Sequence, residues 1–191
     1  MIAVRLVASI QAGPFDEFSR RLSFLAVRAR PELVAVLNAE GRAVRERTVA
    51  AETAQTGLSH DTLDRAQHGH DATVASLAFT IAAQGGNVRL KYFGAREGGG
   101  GVTAHPWNRP TFYAGAFITS GRPGRRKPSP KLNGQVYENI AGGKWGGKIR
   151  LKRSGLFIPT EMTKGATAGA FEAGARTALT RVVRRLAAIA P

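Results

Sequence analysis

Hydrophobic and polar positions change period several times along this chain. Ile2, Val4, Leu6, Ala8 and Ile10 alternate with Arg5, Ser9 and Gln11, the period of a half-buried strand. Gly13-Pro14 breaks that pattern. Phe15, Phe18, Leu22 and Leu25 then recur at helical spacing, with Asp16 and Glu17 suited to a first turn. Pro31, placed as the first residue of a helix and followed by Glu32, opens a longer amphipathic stretch. Leu33, Val36, Leu37 and Val44 form its apolar stripe, and Arg42, Arg45, Glu46 and Arg47 occupy the other side. The spacing predicts a helix to about Gln55, with Gly41 inside it and Gly57 as its stop.

The segment "TGLSHDTLDRAQ" reads as a short helix capped by the Ser59 hydroxyl. The period then shortens. Val74, Leu77, Phe79 and Ile81 predict a strand over "TVASLAFTIAA", Gly85-Gly86-Asn87 a turn, and "NVRLKYFGA" a second strand, together an antiparallel hairpin. "EGGGGVTAHPWNRP" reads as a loop. In "TFYAGAFITS" one face carries Phe112, Ala114, Ala116 and Ile118, the other Tyr113, Gly115 and Phe117. "GRPGRRKPSPKLNG" cannot be a central strand, because its prolines lack the N–H a ladder requires. "QVYENI" and "KIRLKRSGLFI" resume strand character across a glycine-rich turn. A final helix is marked by Phe171, Ala175, Leu179, Val182, Leu186 and Ile189 on one face, with Thr160 as its expected cap. Gly165, Gly169, Gly174 and neighbouring alanines weaken its propensity but permit a close approach to a partner element.

Strands and helices are segregated along the chain, which predicts an α+β fold. The expected architecture is an antiparallel β-sheet packed against a long amphipathic helix and a C-terminal helix, with long Gly/Pro/basic loops. The 191 residues suffice for a single domain, 1–191, with an extended basic loop at about 121–135. No cysteine is present, so disulfides and thiolate metal sites are excluded; a cytosolic or virion setting fits. No run approaches the roughly 18 apolar residues of a membrane span, and Arg5 interrupts what would be the apolar core of a signal peptide. The formal charge of +15 is unevenly placed, with a net +9 between Arg122 and Arg153, where only Glu138 opposes the cations. Such a block seeks a polyanion, an acidic protein face, or water.

Several short patterns could carry chemistry. "HGHD", His68 to Asp71, offers two imidazoles and a carboxylate, and His105 could approach from afar, but catalytic zinc requires three protein ligands and a solvated loop is the simpler reading. Ser59-His60-Asp61 holds the letters of a triad, yet adjacent helical residues do not aim at one another, and no GxSxG accompanies them. In "AGGKWGG", Lys144 precedes Trp145 rather than Ser or Thr, so a phosphate loop is not supported. The basic tract with Tyr137, Trp145 and Phe157 combines cations and rings as nucleic-acid interfaces do. Arg150 and Lys152 nonetheless alternate with Ile149 and Leu151, as on any strand with one wet side. Trp107, between two prolines, either anchors its loop to the core, the favoured reading, or projects towards a partner.

Three segments, Phe112–Gly121, Gly134–Ile140 and Lys148–Met162, follow one another as a strand containing Phe-x-Ala, a Gly/basic turn, a short strand, and a basic strand running into a terminal helix. This order resembles the minor tail protein Z, or tail completion, group of long-tailed bacteriophages, and the helix from Pro31 to Gln55 is similar in placement. The chain departs from the group's pattern at Glu138-Asn139, where a basic residue is common, and at Phe157-Ile158-Pro159, which replaces a Leu-Pro-Ile order. The resemblance implies a structural, non-enzymatic virion protein of the tail or neck, assembled in the host cytoplasm, with no cofactor and no membrane. It implies a homo-oligomeric, commonly hexameric ring that helps join tail to head, with a tail terminator, tail tube or other neck proteins as partners and DNA in possible proximity. The expected contact residues are Trp107, Arg122, Arg125, Arg126, Lys127, Lys131, Trp145, Lys148, Arg150 and Lys152. The alternative is a basic nucleic-acid-binding module; a small hydrolase or metalloenzyme ranks last.

Overall fold

A computed structural model describes residues 4–6, 26–121, 125, 127–140 and 148–189. The expected helix over Phe15 to Leu25 lies outside these residues. The fold is α+β, with two long helices and several small antiparallel sheets.

The first long helix, α1 (Ala26–Thr56), begins earlier than its sequence pattern suggests, so Pro31 lies inside it rather than at its first position. It stops where expected. Gly57 takes a left-handed φ of 77° and its N–H closes on Thr53 O at 3.0 Å, an αL cap that L side chains resist. The buried face of α1 is not purely apolar: Leu37, Val44 and Val49 share it with Thr48, Glu52 and Thr56. Two of those hydroxyls are satisfied within the helix, Thr48 Oγ1 donating to Val44 O and Thr56 Oγ1 to Glu52 O.

A short helix, α2 (His60–Ala66), follows with Ser59 at its N-cap. Its hydroxyl pairs with Thr62 Oγ1 at 2.9 Å instead of capping an N–H, so the boundary was legible and the bonding was not. The chain turns directly into β2 (Gln67–His70). Beside it runs β3 (Thr80–Ala83), which is flanked on its other edge by β1 (Val4–Leu6). Val4 and Gln67 both stand opposite Ala83, fixing the register. The expected strand over 73–83 is therefore only its last third, because Thr73 and Ser76 exchange side-chain and backbone hydrogen bonds in a turn.

The expected β3–β4 hairpin does not form. β4 (Asn87–Arg89) pairs instead with β10 (Arg153–Phe157), and residues Leu90–Phe93 make a 3-10 turn that buries Leu90 and Phe93. The glycine tract read as a loop is a real hairpin. β5 (Arg96–Gly98) and β6 (Gly101–Ala104) meet across Gly99-Gly100, whose φ values of 59° and 84° suit a two-residue hairpin turn. β6 also pairs with β7 (Thr111–Ala114). Beyond Ala114 a turn, Ala116 N–H to Tyr113 O, interrupts the expected alternation. Phe112 is consequently 53 % exposed while Ala116 is buried.

β8 (Tyr137–Asn139) and β9 (Ile149–Leu151) form a separate two-stranded ribbon. After β10, the short helix α3 (Ile158–Met162) carries Pro159 in its first turn. Thr160 lies within α3, so it does not cap the last helix, α4 (Gly165–Ile189). α4 runs antiparallel to α1: Thr167 meets Gln55, Gly174 meets Val44, and Arg181 meets Glu40. Its inward positions are Gly174, Ala178, Val182 and Leu186. The main core gathers Val49, Leu58, Leu63, Phe79, Ile81, Leu90, Phe93, Val102, Val136, Leu156 and Met162, drawing on α1, α2, β3, the 3-10 turn, β6, β10, α3 and the segments between them. Each such aliphatic side chain contributes about 1.5–3 kcal/mol on burial. A satellite cluster of Leu37, Ala72, Val182 and Leu186 closes the far end of the helix pair.

Candidate functional site

The basic tract is built on the β8–β9 ribbon. Residues directly opposite across an antiparallel pair share a face, so the register Glu138↔Arg150 brings the single acid of the tract onto its cations. Arg150 Nε donates to Glu138 Oε1 at 2.5 Å, and Lys152 Nζ to Glu138 Oε2 at 2.7 Å. The two donated bonds, first from Lys152 and then from Arg150, hold the Glu138 carboxyl below its ordinary range. Lys152 is also fixed through its backbone, its N–H meeting Val136 O at 2.8 Å. Lys148 is exposed at the open end of the ribbon, where its carbonyl accepts from Ile140 N–H. Two of the expected contact cations are thus held by an internal carboxylate and one is free of it.

The loop before β8 grows from a rigid base. Phe117 and Tyr137 exchange both backbone hydrogen bonds, at 2.9 and 2.8 Å, and their rings stack with centroids 6.3 Å apart. Glu97 of β5 reaches across to accept from Ile118 N, Thr119 N and Thr119 Oγ1, each at 2.8 Å. Ser120 and Lys127 then form a second reciprocal bridge. Above this base Arg125, Lys127 and Lys131 are exposed. Arg122, Arg126 and Trp145 lie outside the described residues.

Trp107 belongs to a different surface. It sits in a 3-10 turn (Pro106–Asn108) with a left-handed φ of 53° and is 36 % exposed, so its ring is not a core anchor. The turn is pinned instead by Asn108, whose Nδ2 donates to Ala54 O at 2.7 Å at the end of α1.

The triad letters separate in space. Ser59 bonds Thr62, His60 Nε2 lies 2.7 Å from Glu46 Oε1, and Asp61 is exposed. His68 and His70 lie on the exposed end of β2, His68 Nε2 facing Gln84 Nε2 and Asp71 taken by Arg42. Among the described residues no group of three or more His, Asp or Glu side chains could hold a metal ion. No helix in that set is long and apolar enough to cross a membrane.

Sequence reasoning missed a second basic surface. Arg65 of α2, Arg89 of β4 and Arg153 of β10 line one open groove of about 710 Å³, with Tyr92 on its wall. The β4–β10 pairing creates it by setting Arg153 opposite Arg89. Arg65 and Arg89 sit in segments of ordinary amphipathic character, and Arg153 closes the basic block without any sign of its distant neighbours, so no local pattern joins the three. Comparison with protein-family models, with curated proteins and with solved structures returned no match.

Proposed function

We propose that this chain is a structural subunit of a bacteriophage tail or neck, a tail completion protein that acts by assembling rather than by turnover. One observation carries the reading. The three segments in which the chain resembles that group are neighbours in space: Phe117 bridges Tyr137, β8 pairs with β9, and Val136 O accepts from Lys152 N–H. They make one surface, with basic side chains outward and the core of β10 and Leu156 behind them. A surface with exposed cations on a braced base suits docking to acidic faces of sister copies or adjoining virion parts. Head-to-tail contacts of that kind close into rings.

The test is assembly. Deleting residues 122–126, which lie between the bridged Ser120 and Lys127, is expected to leave the monomer's melting transition intact. The same deletion is expected to abolish higher-mass species, measured by analytical ultracentrifugation alone and with tail tube and terminator proteins. Full assembly and infectious particles from that deletion would refute the loop's role. A full-length protein that stays monomeric with every such partner would refute the whole reading.

A further inference from the structure

Four arginines among the described residues are held by a carboxylate. Arg42 meets Asp71, Arg45 meets Asp64, Arg150 meets Glu138 and Arg181 meets Glu40. The groove is different. Among the described residues Arg65, Arg89 and Arg153 have no ion pair, and no Asp or Glu lines the groove. Asp64, a carboxylate already held by Arg45, also feels the field of Arg65; the partners of the other two are neutral. Arg153 Nη1 donates to the Asn87 carbonyl at 2.9 Å. With the Gln135 amide oxygen turned towards them, Arg89 Nη1 and Lys91 Nζ converge on it at 3.0 and 3.1 Å. Two cations sharing one amide oxygen raise the local positive potential without cancelling it. Lys91 also stands 5.4 Å from the centroid of the Tyr92 ring, which is 45 % exposed.

We infer that this groove binds the sugar–phosphate backbone of a nucleic acid. Arginine dominance favours phosphate, whose oxygens match the planar guanidinium fork in pairs. Gly85 and Gly86 form part of the lining with open space where side chains would stand, so a bulky backbone can come close. Tyr92 adds a ring face of the kind on which bases stack. An acidic protein segment would find the same charge and the same fork, but it brings no base to stack on the Tyr92 ring. This inference goes beyond the assembly reading and does not depend on it.

The experiment uses full-length protein and fluorescent oligonucleotides of about 20 nucleotides, single- and double-stranded, with anisotropy read between about 50 and 200 mM salt. The variant R65Q/R89Q/R153Q is expected to bind about tenfold or more weakly, with the slope of log K against log salt reduced by about 2 to 3. Removing the same charge from the loop, in R125Q/K127Q/K131Q, is expected to change affinity less than about threefold. Equal losses in the two variants would overturn the inference, because the overall field and not the groove would then carry binding. Displacement by polyglutamate as effective as by unlabelled oligonucleotide would overturn it too. Arg89 is exposed, so R89Q alone provides a conservative second variant: a measurable loss supports the groove, and wild-type affinity sinks it. Oligonucleotide affinity and assembly mass are separate readouts, so failure of one reading is not failure of the other.

Discussion

Glu52 should be worth more to this fold as a glutamine. Its carboxyl is fully buried on α1, where it accepts from the Gln67 side-chain amide, and its other oxygen and the Gln67 amide oxygen both lack a hydrogen-bond donor. Burial is the first cause that lifts its pKa from 4.5 to about 8; the Gln67 bond opposes the shift and the Glu161 carboxylate of α3 adds to it. Gln55 stands beside that carboxylate, donating to Glu161 Oε2 at 3.1 Å. Arg45, about two helical turns away, directs its charge to Asp64 and to the Gln67 carbonyl. The folded state therefore keeps a proton that the unfolded chain loses. For a carboxyl with a raised folded pKa, stability is undiminished below about pH 4.5 and declines as pH rises towards about 8. At 1.36 kcal/mol per unit, the loss is about 3 kcal/mol near pH 7 and levels off at about 5 kcal/mol above pH 8.

Glu52→Gln keeps an oxygen for the Gln67 N–H and offers its own N–H to the Gln67 oxygen, making a reciprocal amide pair with nothing to ionise. Thermal and urea unfolding of both proteins at about pH 5, 7 and 8.5 would test this. Near pH 5 the two should differ by less than about 1 kcal/mol. Near pH 7 the variant should be the more stable by up to about 3 kcal/mol, a rise in Tm of roughly 6–12 °C for a chain of this size. A variant less stable at every pH would mean that Glu52 is needed as an anion. A difference that does not change with pH would mean that it never carries the proton. Either result refutes the reasoning.

Two further perturbations probe the frame of the candidate sites. Gly41→Ala adds a methyl 2.2 Å from Phe79 Cγ, so about 1–3 kcal/mol of overpacking outweighs the roughly 1 kcal/mol helix propensity gain; a lower Tm is expected, and an unchanged or higher one would show that the ring moves freely. Glu138→Gln releases Arg150 and Lys152; Arg150 is exposed but Glu138 and Lys152 are half-buried, so the loss should be about 1 kcal/mol near pH 7 and shrink in about 1 M salt. Because the folded carboxyl lies below its ordinary range, that contribution is present above the unfolded carboxylate value and is lost on acidification. A difference undiminished in high salt or at acid pH would show that Glu138 acts through packing.

What could be read in advance divides by the range of the interactions. The stop of α1 at Gly57 and the inward Val182 and Leu186 of α4 follow from local chemistry and a 3.6-residue period, whereas Gly174 and Ala178 are buried where the expected stripe had Phe171, Ala175 and Leu179, which are only half-buried. The ribbon strands at 137–139 and 149–151 follow from alternation and the prolines before them. The β5–β6 hairpin had a local signal too, since four consecutive glycines between Glu97 and Val102 contain a Gly-Gly hairpin turn. Strand partners are another matter. β3 joins β1 and β2 instead of the strand that follows it, and β2 is "QHGH", which has no apolar alternation at all. Its one inward residue is Gln67, buried because Glu52 and Arg45 of α1 bind it. A polar side chain at a core position can be recognised only with its partners, and these lie 15 and 22 residues away on a helix. The groove has the same origin. Arg89 and Arg153 are each unremarkable on a strand, and become a site because β4 crosses the sequence to pair with β10. Charge clustered along the chain is therefore only a partial guide to charge clustered in space: within the basic tract Arg150 and Lys152 are held by Glu138, while Arg153 is turned to a groove that it shares with Arg65 and Arg89 from distant segments.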